Sequence, residues 1–219
     1  MIVVIDHFDS FVETLARYVR EAGFETLVMR QTVSVEDVLA VSPSAIILSP
    51  GPGGPDTTGV TLDLLAALPE TTPVLGICLG HQTLAAHLGA TIGKAKEPRH
   101  GKPSDLTHSG HWLFDGIESP FQAGRYHALI VEHLPTDCQQ IASSQGGEIM
   151  GFAHNTRPLY GLQFHPEVNH TEYGFQIISN FLFRVCECFS TWQLEDFIED
   201  QIKTIRKKAA KLEITKTEN

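Results

Sequence analysis

A short apolar run, Pro73-Val74-Leu75, passes into Gly76-Ile77-Cys78-Leu79-Gly80-His81-Gln82 and then into the helical pattern Thr83-Leu84-Ala85-Ala86-His87-Leu88. Strand, sharp turn and helix must follow one another directly, which points to a sheet whose strands feed straight into helices. Glycines two before and two after Cys78 are expected to permit a tight, strained backbone that lifts the thiol out of the sheet. This is a thiol counterpart of the nucleophile elbow. At a helix N-terminus a thiolate is also favoured by the helix dipole, which makes it reactive. The competing structural account is a small buried cysteine after a core strand, since free cysteine is often buried.

A cysteine nucleophile needs a base, and Gly161-Leu162-Gln163-Phe164-His165-Pro166-Glu167 offers one. A buried strand is expected from Leu159 to Phe164, ending at His165. In an open parallel sheet the carboxyl ends of the strands share one edge, so His165 can approach Cys78 despite their separation in sequence. Glu167 lies two residues further on, across Pro166, where extended backbone points both side chains the same way. Its carboxylate could then orient the imidazole and stabilise its protonated form. Taken alone, His-Pro-Glu is as well explained by a solvated loop; its place after an apolar strand, together with the elbow, favours the chemical role.

A third segment, Ile46-Ile47-Leu48-Ser49-Pro50-Gly51-Pro52-Gly53-Gly54-Pro55, also follows an apolar strand. Glycine and proline at this density fix an irregular loop whose N–H groups can point at one spot and hold a developing oxyanion. An ordinary Pro/Gly turn is the plainer alternative. Neither Lys-Ser/Thr nor G-x-G-x-x-G follows, which sets phosphate binding aside.

Together these segments resemble the class I, triad-type glutamine amidotransferases over about residues 1–186. The family's G-x-C-x-G-x-Q elbow is met by Gly76, Cys78, Gly80 and Gln82, its Pro-Gly-Pro-Gly loop by Pro50 to Gly53, and its His-Pro-Glu end by His165 to Glu167. His100-Gly101-Lys102, Arg125-Tyr126-His127 and the opening Ile5-Asp6-His7-Phe8-Asp9-Ser10-Phe11 are similar to the chorismate-utilising branch, the small subunits of anthranilate synthase and aminodeoxychorismate synthase.

The resemblance implies attack by Cys78 on the side-chain amide carbon of L-glutamine, proton handling by His165 and orientation of His165 by Glu167. It implies an oxyanion hole from the N–H groups of Gly53 and Leu79, and substrate binding by Gly51, Pro52, Gly53, Gln82, Ala128 and Leu129. Ala128 stands where the branch usually has serine. A chorismate-binding synthase subunit is the implied partner, with His100, Gly101 and Lys102 as the contact loop; magnesium and chorismate would belong to that partner. No cofactor or metal is assigned to this chain. A stand-alone hydrolase of γ-glutamyl amides using the same triad is the alternative. Glu13-Thr14 departs from the aromatic-asparagine pair expected in near relatives.

The balance of residues narrows the remaining classes. The chain has 219 residues, 42% hydrophobic and 19% charged, enough for one sizeable core. A net charge of −10 disfavours nonspecific nucleic-acid binding. No apolar run reaches the ~18 residues a membrane helix needs. The first residues read as a strand, so no secretory signal is expected and a cytoplasmic location is. Cys78, Cys138, Cys186 and Cys188 form no disulfide framework, and Cys186 is read as core-facing. His108-Ser109-Gly110-His111 is the nearest approach to a metal cluster and lacks carboxylate or thiolate company.

The fold class expected is α/β: an open, mostly parallel, flavodoxin-like twisted sheet with helices on both faces, an antiparallel extension and a C-terminal helix. Strands are expected at 2–5, 26–29, 45–48 and 73–76. Helices are expected from an Asp9-Ser10 cap to Glu21 before Gly23, over 35–41, after Thr58 with Leu62, Leu65 and Ala66 on one face, and from Glu172 to Cys186 with Phe175, Ile178, Phe181 and Leu182 buried. Between Thr91 and Phe164 the pattern predicts short, turn-rich strands, including 121–125, 129–132, 140–143 and 150–153. The amidotransferase-like domain is placed at 1–188. Residues 189–219 are set apart as an extension, with an amphipathic helix from Trp192 to Leu212 that packs back on its domain or docks a partner.

Overall fold

The computed structural model describes residues 1–185. A nine-stranded sheet runs in the order β2-β1-β3-β4-β9-β8-β7-β5-β6. Its parallel half comprises β1 (Ile2–Asp6), β2 (Thr26–Arg30), β3 (Ala45–Leu48), β4 (Val74–Ile77) and β9 (Leu159–Leu162). Counted along the chain these five strands have the flavodoxin order 2-1-3-4-5. The strands β5 (Thr91–His108), β6 (Phe121–His133), β7 (Cys138–Ser144) and β8 (Ile149–His154) add the antiparallel half.

Strands β1, β3 and β4 are buried along their whole length. That is why they read as unbroken apolar runs, as central parallel strands covered on both faces do. On one face, Val4, Ala45, Ile47, Leu75 and Ile77 pack with α1 (Val12–Glu21) and α5 (Gly174–Val185). On the other, Val3, Ile5, Ile46, Leu48 and Val74 pack with α2 (Val35–Ala40), α3 (Thr61–Ala67) and α4 (Leu79–His87). Alternation along each strand thus sends successive side chains to opposite helical layers. Helix α1 meets its layer through Val12, Leu15, Ala16 and Val19, the i, i+3, i+4, i+7 stripe of an amphipathic helix.

Several expectations need correction. Helix α1 starts at Val12 without a side-chain cap. Asp9 instead accepts the Phe11 N–H at 2.7 Å, and its own N–H donates to Asp6 at 3.1 Å, so these carboxylates order the preceding turn. In α3 the buried leucines are Leu64 and Leu65, whereas Leu62 is half-buried and Ala66 exposed, because the helix is short and turned toward α2 and α4. In α5 the stripe is Ile177, Ile178, Phe181 and Leu182; Phe175, on the first turn, packs edge-on to Tyr18 and stays 41% exposed.

The largest departure is β5 with β6, one long antiparallel pair where short strands were predicted. Thirteen residues of β6 run unbroken through Tyr126-His127-Ala128. Their partner β5 is mostly exposed and so lacks an alternating apolar signature, and it takes up Pro98 and Gly101 at register shifts between Lys94 and Arg99 and between His100 and Lys102. His100-Gly101-Lys102 is therefore a bulge within a strand, with Gly101 at φ 70°, rather than a free loop. Cys186, Cys188 and the amphipathic helix expected over 192–212 lie outside the described residues.

Candidate active site

Strand β4 lies between β3 and β9, so the chain emerging from these three strands meets at one edge. That neighbour relation brings the Pro50–Gly54 loop, Cys78 and His165 together. Cys78 immediately follows β4, its N–H donating to the Leu162 carbonyl of β9 at 2.8 Å, and it caps α4 with φ 51° and ψ −101°. Positive φ on a side-chain-bearing residue costs about 1–3 kcal/mol and is characteristic of functional turns. The flanking glycines do not carry this strain, for neither Gly76 nor Gly80 has positive φ. They make room: a Cβ on Gly76 would strike the Gly80 carbonyl, and one on Gly80 the Leu48 carbonyl. Strand and helix pack so closely that only hydrogen fits.

Cys78 is 5% exposed at the floor of a cleft of about 220 Å³. Gly51, Pro52, Gly53, Leu79, Gln82, Ala128 and Leu129 line it, each singled out in the sequence, together with Tyr126 and His127. The N–H of Leu79 opens α4 and is one of the donors a helix leaves without an internal acceptor. Gly53 has φ 88°, and the turn behind it is closed by Thr57, whose hydroxyl accepts from the Gly54 N–H at 3.2 Å and donates to the Gly54 carbonyl at 2.8 Å.

The opening segment braces this loop. His7 is buried; its N–H donates to the Ser49 hydroxyl, and its Nδ1 lies 2.8 Å from the Ser49 carbonyl, which can only accept. Nδ1 therefore carries the proton, and Nε2 accepts from the Thr61 hydroxyl at 2.8 Å. Burial lowers the pKa of His7, in keeping with this neutral form.

His165 and Glu167 are buried at 3% and 1% exposure, with His165 Nδ1 2.7 Å from Glu167 Oε1. Nδ1 thus holds the proton and Nε2 is the nitrogen left for Cys78. Burial disfavours a charged ring here, yet the Cys78 thiolate and the Glu167 carboxylate outweigh it and raise the His165 pKa well above 6.5. The bend that returns Glu167 is pinned by the Thr171 hydroxyl, which accepts from the Gly124 N–H at 2.9 Å and donates to the His165 carbonyl at 2.5 Å. The ring of Tyr126 stands edge-on to that of His165 at 5.1 Å.

Two groups without a role in the sequence reading prove central. Gln163 is fully buried beside Cys78, its Nε2 3.9 Å from Sγ. Arg125 is buried too; it pairs with Glu148, and its Nε donates to His127 Nε2 at 3.1 Å. A polar residue inside an apolar strand run was the available signal, because such a group must find partners. Arg125 and Glu148 also border a larger groove of about 900 Å³, walled by Lys94, Arg99 and Glu132, which Cys78 does not line.

His100, Gly101 and Lys102 stand beside this cleft rather than in it. His100 packs edge-on against Tyr126 at 5.3 Å, and a side chain on Gly101 would press on the same ring. Among the described residues, no group of three or more His, Cys, Asp or Glu is placed to hold a metal. His108 stacks on Phe114, and His111 Nδ1 accepts the Leu113 N–H. No helix of the described residues is long and apolar enough to cross a membrane.

The family model for class-I glutamine amidotransferases matches residues 3–185. The chain belongs to that family. It is 39% identical over 185 residues to the Bacillus subtilis aminodeoxychorismate/anthranilate synthase component 2, covering 83% of this chain and 95% of that one. It is 41% identical over 186 residues to anthranilate synthase component 2 of Azospirillum brasilense, covering 83% and 95%. Among solved structures, a putative GMP synthase protein from Thermoplasma acidophilum superposes with a TM-score of 0.77 at 31% identity, covering 85% of this chain and 93% of that one. This glutamine amidotransferase thus shares its parallel core and antiparallel strands with solved relatives.

Proposed function

We propose that this amidotransferase hydrolyses L-glutamine through Cys78, His165 and Glu167 and delivers ammonia to a chorismate-utilising synthase, as component 2 of an aminodeoxychorismate or anthranilate synthase. The observation that carries this reading is the ordered set formed by a positive-φ cysteine under a cleft, a histidine whose Nε2 is left open, and a carboxylate 2.7 Å from its Nδ1.

Glutamine enters with its amide toward Cys78 and its amino-acid end toward Gln82 and the β6 backbone. Gln82 Nε2 is committed to the Leu129 carbonyl at 2.9 Å and to Gln163 Oε1 at 3.1 Å, so Oε1 remains to accept from the substrate ammonium. The thiolate adds to the amide carbon, and the resulting oxyanion is held by the N–H groups of Gly53 and Leu79. Protonated His165 gives its proton to the departing nitrogen, ammonia leaves, and a thioester remains on Cys78. His165, now neutral, takes a proton from water as it attacks the thioester; the oxyanion re-forms in the same place, and collapse releases glutamate. Glu167 keeps the ring in one tautomer and stabilises its charged form in both halves.

Ammonia released into water is protonated and lost to the acceptor, so a receiving partner that closes the cleft is part of the proposal. The 39% and 41% identical relatives are each named as component 2 of a synthase. Phe8 and Phe11 support a partner surface beside the cleft, since both are exposed and Phe11 lies 6.3 Å from Tyr126. Glutamate release is measured from the chain alone and with each chorismate-binding partner, with Cys78→Ser as control. Weak activity alone that rises strongly with one partner and vanishes in the control supports the reading and identifies the pathway. Strong partner-free hydrolysis shifts it to a stand-alone γ-glutamyl amidase, and inactivity with every partner overturns it.

A further inference from the structure

We infer that the Gln163 carboxamide is a catalytic hydrogen-bond donor to the Cys78 thiolate, with its orientation dictated by a chain of hydrogen bonds that starts at the Leu129 carbonyl. The inference rests on Cys78 being the nucleophile.

An amide side chain can usually be turned end for end, which exchanges donor and acceptor. Here every link excludes the exchange. Arg125 can only donate, so its Nε–H makes His127 Nε2 an acceptor at 3.1 Å. The proton of neutral His127 is then on Nδ1, which donates to the Leu129 carbonyl at 3.0 Å. Burial and the adjacent Arg125 charge keep this ring neutral. The Leu129 carbonyl, an acceptor only, also receives Gln82 Nε2 at 2.9 Å, which fixes the Gln82 amide with its nitrogen inward. The second hydrogen of that nitrogen meets Gln163 at 3.1 Å, so Gln163 must present its oxygen there and its nitrogen to Cys78. Gln163 Nε2 is 3.9 Å from Sγ, within range of an N–H···S bond, and the side chain is fully buried.

A thiolate accepts such a bond more strongly than a thiol does, because the acceptor carries full charge in a poorly screened site. Gln163 therefore holds the negative form of the nucleophile from one side, while His165 faces it with positive charge. The bond weakens as the sulfur is acylated, because the charge it stabilised is gone. Gln82 is the positioning residue in this scheme, since it acts on Cys78 through Gln163, while Arg125 and His127 help hold the Leu129 carbonyl to which Gln82 donates.

The test is the rate at which iodoacetamide alkylates Cys78, followed by peptide mass spectrometry over a range of pH, in wild type, Gln163→Met and Gln163→Glu. The methionine variant keeps the volume and removes the donor. The glutamate variant keeps the shape and the acceptor for Gln82 but offers carboxylate to the sulfur. Expected at pH 7 is a loss of about tenfold in alkylation rate for Gln163→Met, the usual worth of a hydrogen bond to a charged group, and a greater loss for Gln163→Glu. In both, the pH profile moves to higher pH, and kcat for glutamine falls more than KM changes. Either variant, folded by circular dichroism and alkylated at the wild-type rate and pH profile, overturns the inference. His165→Ala separates the two readings: if it slows alkylation while Gln163→Met does not, only the Gln163 assignment fails. If Cys78 is no more reactive than Cys138 in the wild type, the nucleophile assignment fails as well.

Discussion

The Tyr126 ring touches both His165, at 5.1 Å between centroids, and His100, at 5.3 Å, so one aromatic side chain links the proposed base to the β5 bulge beside the cleft. A partner bearing on His100 and Lys102 would act on His165 through that ring. Tyr126→Leu is expected to lower glutaminase kcat by about tenfold with a smaller change in KM, as loss of an aromatic contact frees the imidazole. Lys102→Glu is expected to cut partner-stimulated glutaminase several-fold. Retention of full stimulation in Lys102→Glu would remove the bulge from the interface.

Glu167→Gln keeps the size of the side chain but removes the charge that stabilises protonated His165. Steady-state kinetics should show kcat reduced by about 10²- to 10⁴-fold with KM nearly unchanged, the pattern of an interaction strengthened in the transition state. A fall of less than threefold would assign Glu167 to structure alone.

Stability should depend on pH from two directions. For His81 burial, offset only in part by the Gly161 carbonyl, lowers the pKa to about 3, and for His127 burial and Arg125 lower it to about 4. The unfolded chain takes up these protons near 6.5, so stability falls as pH drops below about 6.5 and the loss is complete near pH 3. His165 has the opposite sign: although burial opposes it, its folded pKa is raised, so its contribution is full below about 6.5 and is lost as pH climbs through the raised value. Urea unfolding across pH 4–10 should show both limbs. His81→Leu should flatten the acid limb, and Cys78→Ser the alkaline one.

Gly80→Ala forces a methyl group onto the Leu48 carbonyl, where backbone must give way. The expected cost is about 1–3 kcal/mol, read as a lower Tm, together with loss of activity as α4 is pushed off β4 and takes the Leu79 N–H with it. Unchanged Tm and kcat would show that the elbow tolerates the shift.

Ala128→Ser restores the hydroxyl usual in the branch. The backbone at this point is held by His127 and Gln82, both bonded to the Leu129 carbonyl, and Ala128 itself is exposed. KM for glutamine should stay within about twofold of wild type, as for a surface substitution. A much lower KM would place the missing contact in the hydroxyl.

The sequence by itself determined the strand-turn-helix at Cys78 and the apolar runs of β1, β3 and β4, because each rests on local pattern: unbroken hydrophobicity for strands covered on both faces, and glycine where backbones touch. The cleft-lining residues from Gly51 to Leu129 came instead from the family resemblance. The sequence also placed His165 and Glu167 two residues apart across a proline, and geometry followed from that spacing. It misread β5 and β6, whose long pairing is settled by partner strands rather than by alternation, and so it took His100-Gly101-Lys102 for a loop. Only the tertiary structure decided that the positive φ belongs to Cys78 and not to its glycines. Only it brought Gln163, Gln82, His127, Arg125 and Glu148, from α4, β6, the turn before β8 and the end of β9, into one hydrogen-bonded chain. The physical reason is that the direction of a hydrogen bond depends on what the other end of each side chain touches, and those contacts join segments as much as 85 residues apart.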